Sequence, residues 1–448
     1  MRNLTGNPKK ALMKLSVPIM ISNLVFTLYN LADGIWVAGL GTDALSAVGI
    51  FFPLFIILSA LSMGIGIGAT SAISRRIGAE DKAGAENTAM HAILFGFLIS
   101  LATISTFPYL GVLLKTVGAK GEVLRLSLRY SRIILLFSPF IFFNNIFVGI
   151  LNGEGSTKRT MYANVTGALL NMMLDPLFIY VLGFGIAGAA YATSLSLVVS
   201  FIILLYYFIG KRTFLRLGGF KADLRITADI LRVGLPSSVS MLLMSVAIIF
   251  LNLIIVETGS SDGIAVFTSA WRIIHFGLIP LFGIAGAVTP IIGASYGAKN
   301  AENLKTAYLH AIVTSVKIEL LIALTIAVFA PQLARVFTYT EASSNIYDDL
   351  IIALRFLSVI LPFIPLSFMT IATFQGLGKG ERSLAITLMR TIIFQLSFAY
   401  LFAAKFGFLG VLLGVVLGNI TSSLIAFIWG LSTIKVLRLR YNAEIHRI

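Results

Sequence analysis

The sequence contains no cysteine, and only 12% of its residues are charged. Without cysteine the chain can form neither a disulfide nor a thiolate metal site. Soluble domains carry about 25% charged residues, whereas 58% of this chain is hydrophobic. We therefore predict an integral membrane protein of the all-α class, because open sheets and loops cannot cross lipid.

Acidic residues and histidines are also scarce. The chain has 19 Asp and Glu against 34 Lys and Arg, and only four His. The histidines, including His91 and His310, form no ligand cluster, so we expect no cofactor. No G-K-[ST] segment follows the glycine-rich runs, which argues against ATP-driven transport. The positive charges lie in loops, where membrane orientation explains them, so we expect no nucleic-acid partner.

What is present is a series of about twelve apolar runs of roughly 20–25 residues, the length that a membrane-spanning helix needs. The predicted limits are 12–36, 46–72, 86–114, 126–151, 158–182, 187–210, 229–256, 264–292, 305–330, 348–374, 383–404 and 408–436. The basic linker 211–228 divides the chain into an N-lobe at 1–210 and a C-lobe at 229–448.

The distribution of Lys and Arg predicts the orientation. The termini and the even-numbered loops together hold 23 of these residues, the odd-numbered loops hold 5, and the remaining 6 of the 34 lie inside the predicted spans. Because basic loops stay on the cytoplasmic side, we predict a multi-pass protein of the cell membrane with both termini in the cytoplasm.

The two halves of the chain repeat. An offset of 219 aligns Thr70 with Thr289 and His91 with His310, and an offset of 223 aligns Gly153 with Gly376. Near-constant spacing of this kind indicates duplication. Since each unit has six predicted spans, both enter the membrane in the same direction, which predicts a parallel pseudo-two-fold repeat with a binding site between the lobes.

Two carboxylates interrupt the apolar runs of the first half. Asp175 lies in L-L-N-M-M-L-D-P, four residues after Asn171, so the two share a helix face. Asp33 extends a polar stripe on the first span that includes Asn30. A charged side chain at membrane depth costs about 2.5–3.5 kcal/mol on insertion scales, so both acids are candidate functional residues.

Several segments resemble the multidrug and toxic-compound extrusion (MATE) transporters, especially their archaeal and DinF-like branch. They are Y-N-L-A-D-G-I-W-V-A-G-L-G at 29–41, G-I-G-A-T-S-A-I-S-R-R-I-G-A at 66–79, N-G-E-G at 152–155, N-M-M-L-D-P at 171–176 and Y-A-T-S at 191–194. The resemblance implies twelve helices in two lobes and drug export driven by inward H⁺ or Na⁺ flow.

The resemblance also implies a coupling site in the N-lobe, made of Asp33, Asn171, Asp175 and Thr193. Their hard oxygen atoms suit Na⁺, and two carboxylates that share a desolvated site can instead hold a proton. The choice between H⁺ and Na⁺ stays open. We expect the same polar network and cavity to include Tyr130, Asn145, Asn30 and Trp36.

Pro18 lies inside the first span and predicts a kink there, because proline removes a helical hydrogen bond. We hypothesise that this kink responds to protonation of Asp33. The repeat supplies a contrast, because the position equivalent to Asp175 is Ser397. The C-lobe candidates Arg272, Lys317, Glu319, Arg390 and Gln395 are better explained by snorkelling or packing.

The sequence therefore favours a cation-coupled antiporter, expected to act as a monomer, that exports amphipathic, cationic organic compounds. The first alternative is a lipid-linked precursor flippase of the same superfamily. A remote alternative is an intramembrane aspartyl protease, but the A-D-G and L-D-P contexts of the two acids differ from the motifs of that class. We expect no enzymatic activity.

Overall fold

The computed structural model describes residues 4, 6–339 and 341–445, and for residues 259–261, 341–343, 442 and 444–445 it describes the backbone alone. The described chain is helical and contains no strand. Long helices are what an apolar chain requires in lipid, because each helix satisfies its own backbone hydrogen bonds. The predicted all-α membrane class is confirmed.

The first half of the chain forms eight α-helices. They are α1 (Pro8–Ala38), α2 (Thr42–Gly78), α3 (Lys82–Ile104), α4 (Leu110–Thr116), α5 (Gly121–Leu136), α6 (Ser138–Gly153), α7 (Thr157–Pro176) and α8 (Ile186–Ile209). A π-helical turn, Leu177–Val181, continues α7.

The second half forms eight more. They are α9 (Leu224–Gly277), α10 (Ile279–Gly297), α11 (Ala301–Val328), α12 (Ala330–Phe337), α13 (Tyr347–Ser358), α14 (Ile364–Gly376), α15 (Gly380–Leu388) and α16 (Ser397–Ile445). A π-helical turn, Met389–Leu396, joins α15 to α16.

Within the described residues, nine helical segments are long and apolar enough to cross a membrane, and the bent pair α5 and α6 makes a tenth. Several predicted spans are fused or broken. The predicted turn between 256 and 264 is helical within α9, and the segment from Gly380 to Tyr441 continues past a non-helical residue at Gly407. The exact number of twelve spans stays a prediction.

The chain divides into two compact units. One contains Val17–Ser238 and the other contains Val239–Ile448, while most of the chain before Val17 groups with the second unit. The first turns of α9 thus belong to the first unit, and the first turns of α1 belong to the second. The lobe limits drawn from the sequence, 1–210 and 229–448, stay a prediction.

The repeat is visible in the local geometry of both halves. Asp81 caps α3 by accepting from Gly84 N at 2.8 Å, and Asn300 caps α11 by accepting from Asn303 N at 2.9 Å. These caps are 219 residues apart. In both halves the preceding residue has a positive φ, 61° at Glu80 and 52° at Lys299, so the duplicated segments fold alike.

Glycines allow α2 to pack closely against α6. A Cβ at Gly66 would lie 2.6 Å from the Asn145 carbonyl oxygen, and a Cβ at Gly149 would collide with Gly66. At this crossing Thr70 Oγ1 donates to Gly149 O at 2.8 Å. Small residues that let backbones approach are typical of helix packing in membranes.

Candidate functional site

The candidate site begins on α7, where Asn171 and Asp175 lie one turn apart on a buried face. Asn171 is 1% exposed and Asp175 is 0% exposed. With its amide oriented so that oxygen faces donors, Asn171 Nδ2 donates to Asp175 Oδ2 at 3.0 Å. The two side chains share a helix face, as their i, i+4 spacing predicts, and their joint role in coupling stays a prediction.

Thr193 on α8 joins the same group. In that amide orientation, Asn171 Oδ1 accepts from Thr193 N at 3.1 Å and from Thr193 Oγ1 at 3.3 Å. Asn171 therefore links the carboxylate of α7 to the backbone and the hydroxyl of α8. Packing between α7 and α8 brings these residues together across 22 positions of sequence.

Asp33 on α1 reaches the group from a distant part of the sequence. Its carboxyl group lies near that of Asp175. Because two ionised carboxylates repel each other, binding of a proton or a cation would stabilise the pair. Each acid also keeps a buried Oδ1 atom that has no hydrogen-bond partner in the described part of the chain.

Two tyrosines surround the carboxyl pair. Tyr29, one turn before Asp33, and Tyr130 on α5 are both close enough to interact electrostatically with Asp33 and Asp175. Tyr130 is buried and packs edge-on against Phe51, with ring centroids 5.7 Å apart. The role of Tyr130 in this network stays a prediction. Tyr29 has no predicted role, although its i, i+4 spacing from Asp33 places both on one helix face.

The π-helical turn after Pro176 positions a third tyrosine. Pro176 has no backbone N–H, and Leu182 N then donates to Leu177 O, five residues back, at 2.9 Å. Tyr180 in this turn donates to the Trp36 carbonyl at 2.6 Å. Trp36 thus contacts α7 through its backbone, and π-helical turns frequently occur at functional sites.

Two other predicted residues, Asn145 and Asn30, make hydrogen bonds to groups other than the acids. Asn145 donates to Ser62 Oγ and to the Ile141 carbonyl, both at 3.1 Å. Asn30 is exposed, and its amide donates to the Phe26 carbonyl of its own helix at 2.7 Å.

Pro18 lies within the continuous helix α1, 15 residues before Asp33. At 1.5 Å per residue the two are separated by about 22 Å. Pro18 is therefore not a contact of the site, and its coupling to Asp33 stays a hypothesis.

The side-chain atoms of Asp33, Asn171, Asp175 and Thr193 that could bind a cation are all oxygen atoms. Among the described residues no set of three or more His, Cys, Asp and Glu side chains could hold a metal ion. Carboxylate, amide and hydroxyl oxygens are hard ligands that suit an alkali cation. The two partner-free Oδ1 atoms could accept either a proton or such a cation.

The second unit has a different polar core. Arg390 is buried, lies 3.4 Å from Asn419 Oδ1 and stacks over the Phe368 ring at 4.9 Å. Asn419 in turn donates to Gln395 Oε1 at 3.1 Å.

The other C-lobe candidates divide between surface and core. Arg272 and Lys317 are exposed. Glu319 is fully buried, and neither of its carboxyl oxygens has a well-formed hydrogen bond within the described residues.

Comparison with known proteins identifies the family. The MatE family model matches residues 18–177 and 236–401, one segment in each half. The multidrug export protein MepA of Staphylococcus aureus (strain N315) is 27% identical over 410 residues, which cover 90% of this chain and 89% of that protein. The probable multidrug resistance protein YoeA of Bacillus subtilis (strain 168) is 28% identical over 392 residues, or 84% of this chain and 81% of that protein.

Solved structures extend the similarity to nearly the whole chain. A MATE protein crystallised in complex with MaL6 is 48% identical, with a TM-score of 0.95 and 98% of each chain covered. A MOP superfamily transporter from Pyrococcus furiosus Vc1 is 48% identical, with a TM-score of 0.94 and the same coverage. The chain therefore belongs to the MATE family of multidrug efflux transporters, which are membrane transporters and not enzymes.

Proposed function

We propose that the chain is a cation-coupled antiporter that exports amphipathic organic cations by alternating access. The observation that carries the proposal is the pair Asp33 and Asp175, whose carboxyl groups lie near each other in the first unit. Each carboxyl group has a buried oxygen with no hydrogen-bond partner among the described residues. An intramembrane carboxylate pair of this kind is costly unless it binds a proton or an ion.

Asn171 and Thr193 have supporting roles in this proposal. Asn171 Nδ2 donates to Asp175 Oδ2 at 3.0 Å, and Oδ1 of that carboxylate has no hydrogen-bond partner among the described residues. Thr193 fixes the amide through its backbone N–H at 3.1 Å. Loading of H⁺ or Na⁺ removes the repulsion between the acids and lets α1 and α7 approach, and unloading separates them.

The coupling test uses proteoliposomes with a pH gradient and a Na⁺ gradient imposed separately. Asp33→Asn and Asp175→Asn should each abolish gradient-driven dye export, because neither variant can form the loaded pair. Glu122→Gln is the matched control, because Glu122 is an exposed acid that pairs with Arg125. Export at the parental rate by both Asn variants would show that this pair does not couple transport.

The site residue Thr193 offers a second test that separates positioning from ion binding. Thr193→Val keeps the backbone N–H bond to Asn171 and removes only the hydroxyl at 3.3 Å. If Na⁺ is the coupling ion, this variant should need a higher Na⁺ concentration for half-maximal export. An unchanged Na⁺ dependence together with a shifted pH dependence would favour H⁺.

The kink predicted at Pro18, inside the continuous helix α1, is the proposed link between loading and movement. Two of the similar solved structures are described as the straight and the bent conformation of a MATE protein. In this chain Ser22 Oγ donates to the Pro18 carbonyl at 3.0 Å, so the backbone here is already supported by a side chain. Pro18→Ala structures that bend α1 as the parent does at both low and high pH would rule the link out.

The topology and the assembly belong to the same proposal. We place both termini in the cytoplasm of a cell-membrane protein that works as a monomer in the lipid bilayer. The chain contains no cysteine, so single cysteines introduced in the loops can be labelled in intact cells to test the orientation. Competition by lipid-linked precursors but not by organic cations in a binding assay would favour the flippase instead.

A further inference from the structure

Helix α5 carries three arginines on one face. Arg125, Arg129 and Arg132 follow one another at i, i+4 and i+7, the spacing that aligns side chains along a helix. All three are exposed, while Tyr130 on the opposite face is buried near the carboxyl pair. The arginine face therefore belongs to a different site from the one described above.

These arginines line a cavity. Its volume is about 790 Å³, and α8 and the turn before it complete its wall. Phe184 and Tyr191 lie in that wall with their rings edge to face, and their centroids are 6.2 Å apart. The cavity therefore combines three guanidinium groups with an aromatic wall.

Most of the positive charge in the cavity is uncompensated. Arg125 pairs with Glu122 at 2.5 Å. Arg129 and Arg132 form no ion pair within the described part of the chain. The loop before α5 is predicted to lie on the side whose loops hold only 5 Lys and Arg, so the positive-inside rule does not explain the arginines of α5.

Apolar side chains border the arginines on α5. Leu128 and Ile133 line the cavity with them, and Leu136, four residues after Arg132 on the same helix face, is 58% exposed. In a membrane protein such side chains face hydrocarbon, while arginines and Tyr191 are suited to the interface. A ligand here would meet positive charge at one end and apolar surface at the other.

We propose that this cavity binds the phosphate of an anionic lipid headgroup, with the acyl chains against Leu128, Ile133 and Leu136. Arginine forks match phosphate oxygens in two parallel hydrogen bonds, and guanidinium groups are weakly hydrated enough to work at the interface. The proposal is independent of the coupling mechanism.

The test counts bound lipids by native mass spectrometry of the full chain released from detergent. Short-chain phosphatidylglycerol and phosphatidylcholine are titrated separately, and inorganic phosphate is added as a competitor. The parent should bind phosphatidylglycerol in preference to phosphatidylcholine. Arg129→Gln with Arg132→Gln should weaken phosphatidylglycerol binding roughly tenfold for each arginine removed, the effect expected of a charge-assisted hydrogen bond.

Arg335→Gln is the matched control, because Arg335 is exposed, is also predicted to lie in an odd-numbered loop and is outside the cavity. This variant should bind phosphatidylglycerol as the parent does. Equal binding by the double variant and the parent would overturn the proposal, as would millimolar inorganic phosphate displacing the lipid completely. If the Arg129→Gln, Arg132→Gln variant has a lower melting temperature than the parent, the double variant Arg129→Lys with Arg132→Lys takes its place. The lysines keep the positive charge but cannot form two parallel hydrogen bonds to phosphate, so this variant should show intermediate binding.

Discussion

Glu154 accepts hydrogen bonds from the backbone of the linker 211–228, and we predict that the substitution Glu154→Ala loosens this linker. The residue lies between α6 and α7 and its side chain is fully buried. Its Oε2 atom accepts from Phe214 N at 3.0 Å and from Leu215 N at 3.1 Å. Its Oε1 atom accepts from Ser156 Oγ at 2.6 Å.

Glu154→Ala leaves both backbone donors of the linker without this acceptor. Phe214 is half-buried and can be hydrated, whereas Leu215 is 0% exposed. An unsatisfied buried donor costs about 1–3 kcal/mol. Because about 1.4 kcal/mol is a factor of ten in an equilibrium, amide hydrogen exchange at Leu215 should accelerate about tenfold or more, provided that opening of the linker limits exchange.

Glu154→Gln is the control for this experiment. Its amide oxygen can accept from both backbone donors, and its amide nitrogen can donate to Ser156. The bond to Arg159 is long, 3.4 Å, and Arg159 is one-third exposed, so loss of the charge should matter little. If exchange at Leu215 is as slow in Glu154→Ala as in Glu154→Gln, the linker is held by other contacts and the reasoning is wrong.

Three further predictions follow from particular contacts. Burial raises the pKa of Glu154. A carboxyl group whose pKa is higher in the folded state stabilises the protein at acid pH, and this stability is lost as pH rises through the folded-state pKa. The melting temperature of the parent relative to Glu154→Gln should therefore fall between the unfolded-state and the folded-state pKa of Glu154, and a constant difference would contradict this. Thr70→Val removes a bond of 2.8 Å to Gly149 and should lower stability by about 1 kcal/mol in thermal melts, and Thr289→Val, which loses a bond of 3.2 Å, should cost less. In Gly185→Ala the added Cβ would have no atom within 4 Å, but φ is 58° and ψ is −134° at this position. Backbone strain alone should therefore lower the free energy of unfolding by about 1–3 kcal/mol. A melting temperature unchanged from the parent would show that this turn adjusts freely.

Other linker contacts explain why a basic, glycine-containing segment takes one path. His91 Nε2 accepts from Asp223 N at 3.1 Å, and the Asn87 side chain pairs with both backbone groups of Lys221. From the sequence, His91 is recognisable only as the repeat partner of His310 and as a histidine outside any ligand cluster. Its partner lies 132 residues away, and no local pattern encodes a contact of that separation.

The carboxyl site shows how far periodicity reaches. The i, i+4 spacing predicted that Asn171 and Asp175 share a face, and the spacing alone would have placed Tyr29 beside Asp33. The same stripe includes Asn30, which turns to its own helix instead. Periodicity fixes the face of a helix on which a side chain lies, but which helix packs against that face depends on the whole fold.

The sequence by itself determined the helical membrane class, the duplication and the presence of two acids in one half. These follow from composition, from the length of apolar runs and from constant offsets, all of which are local or periodic. Only the tertiary structure brought Asp33 to Asp175 and placed the Trp36 carbonyl against Tyr180. It also separated the arginine face of α5 from the acid site on the other face, because that choice depends on how neighbouring helices pack.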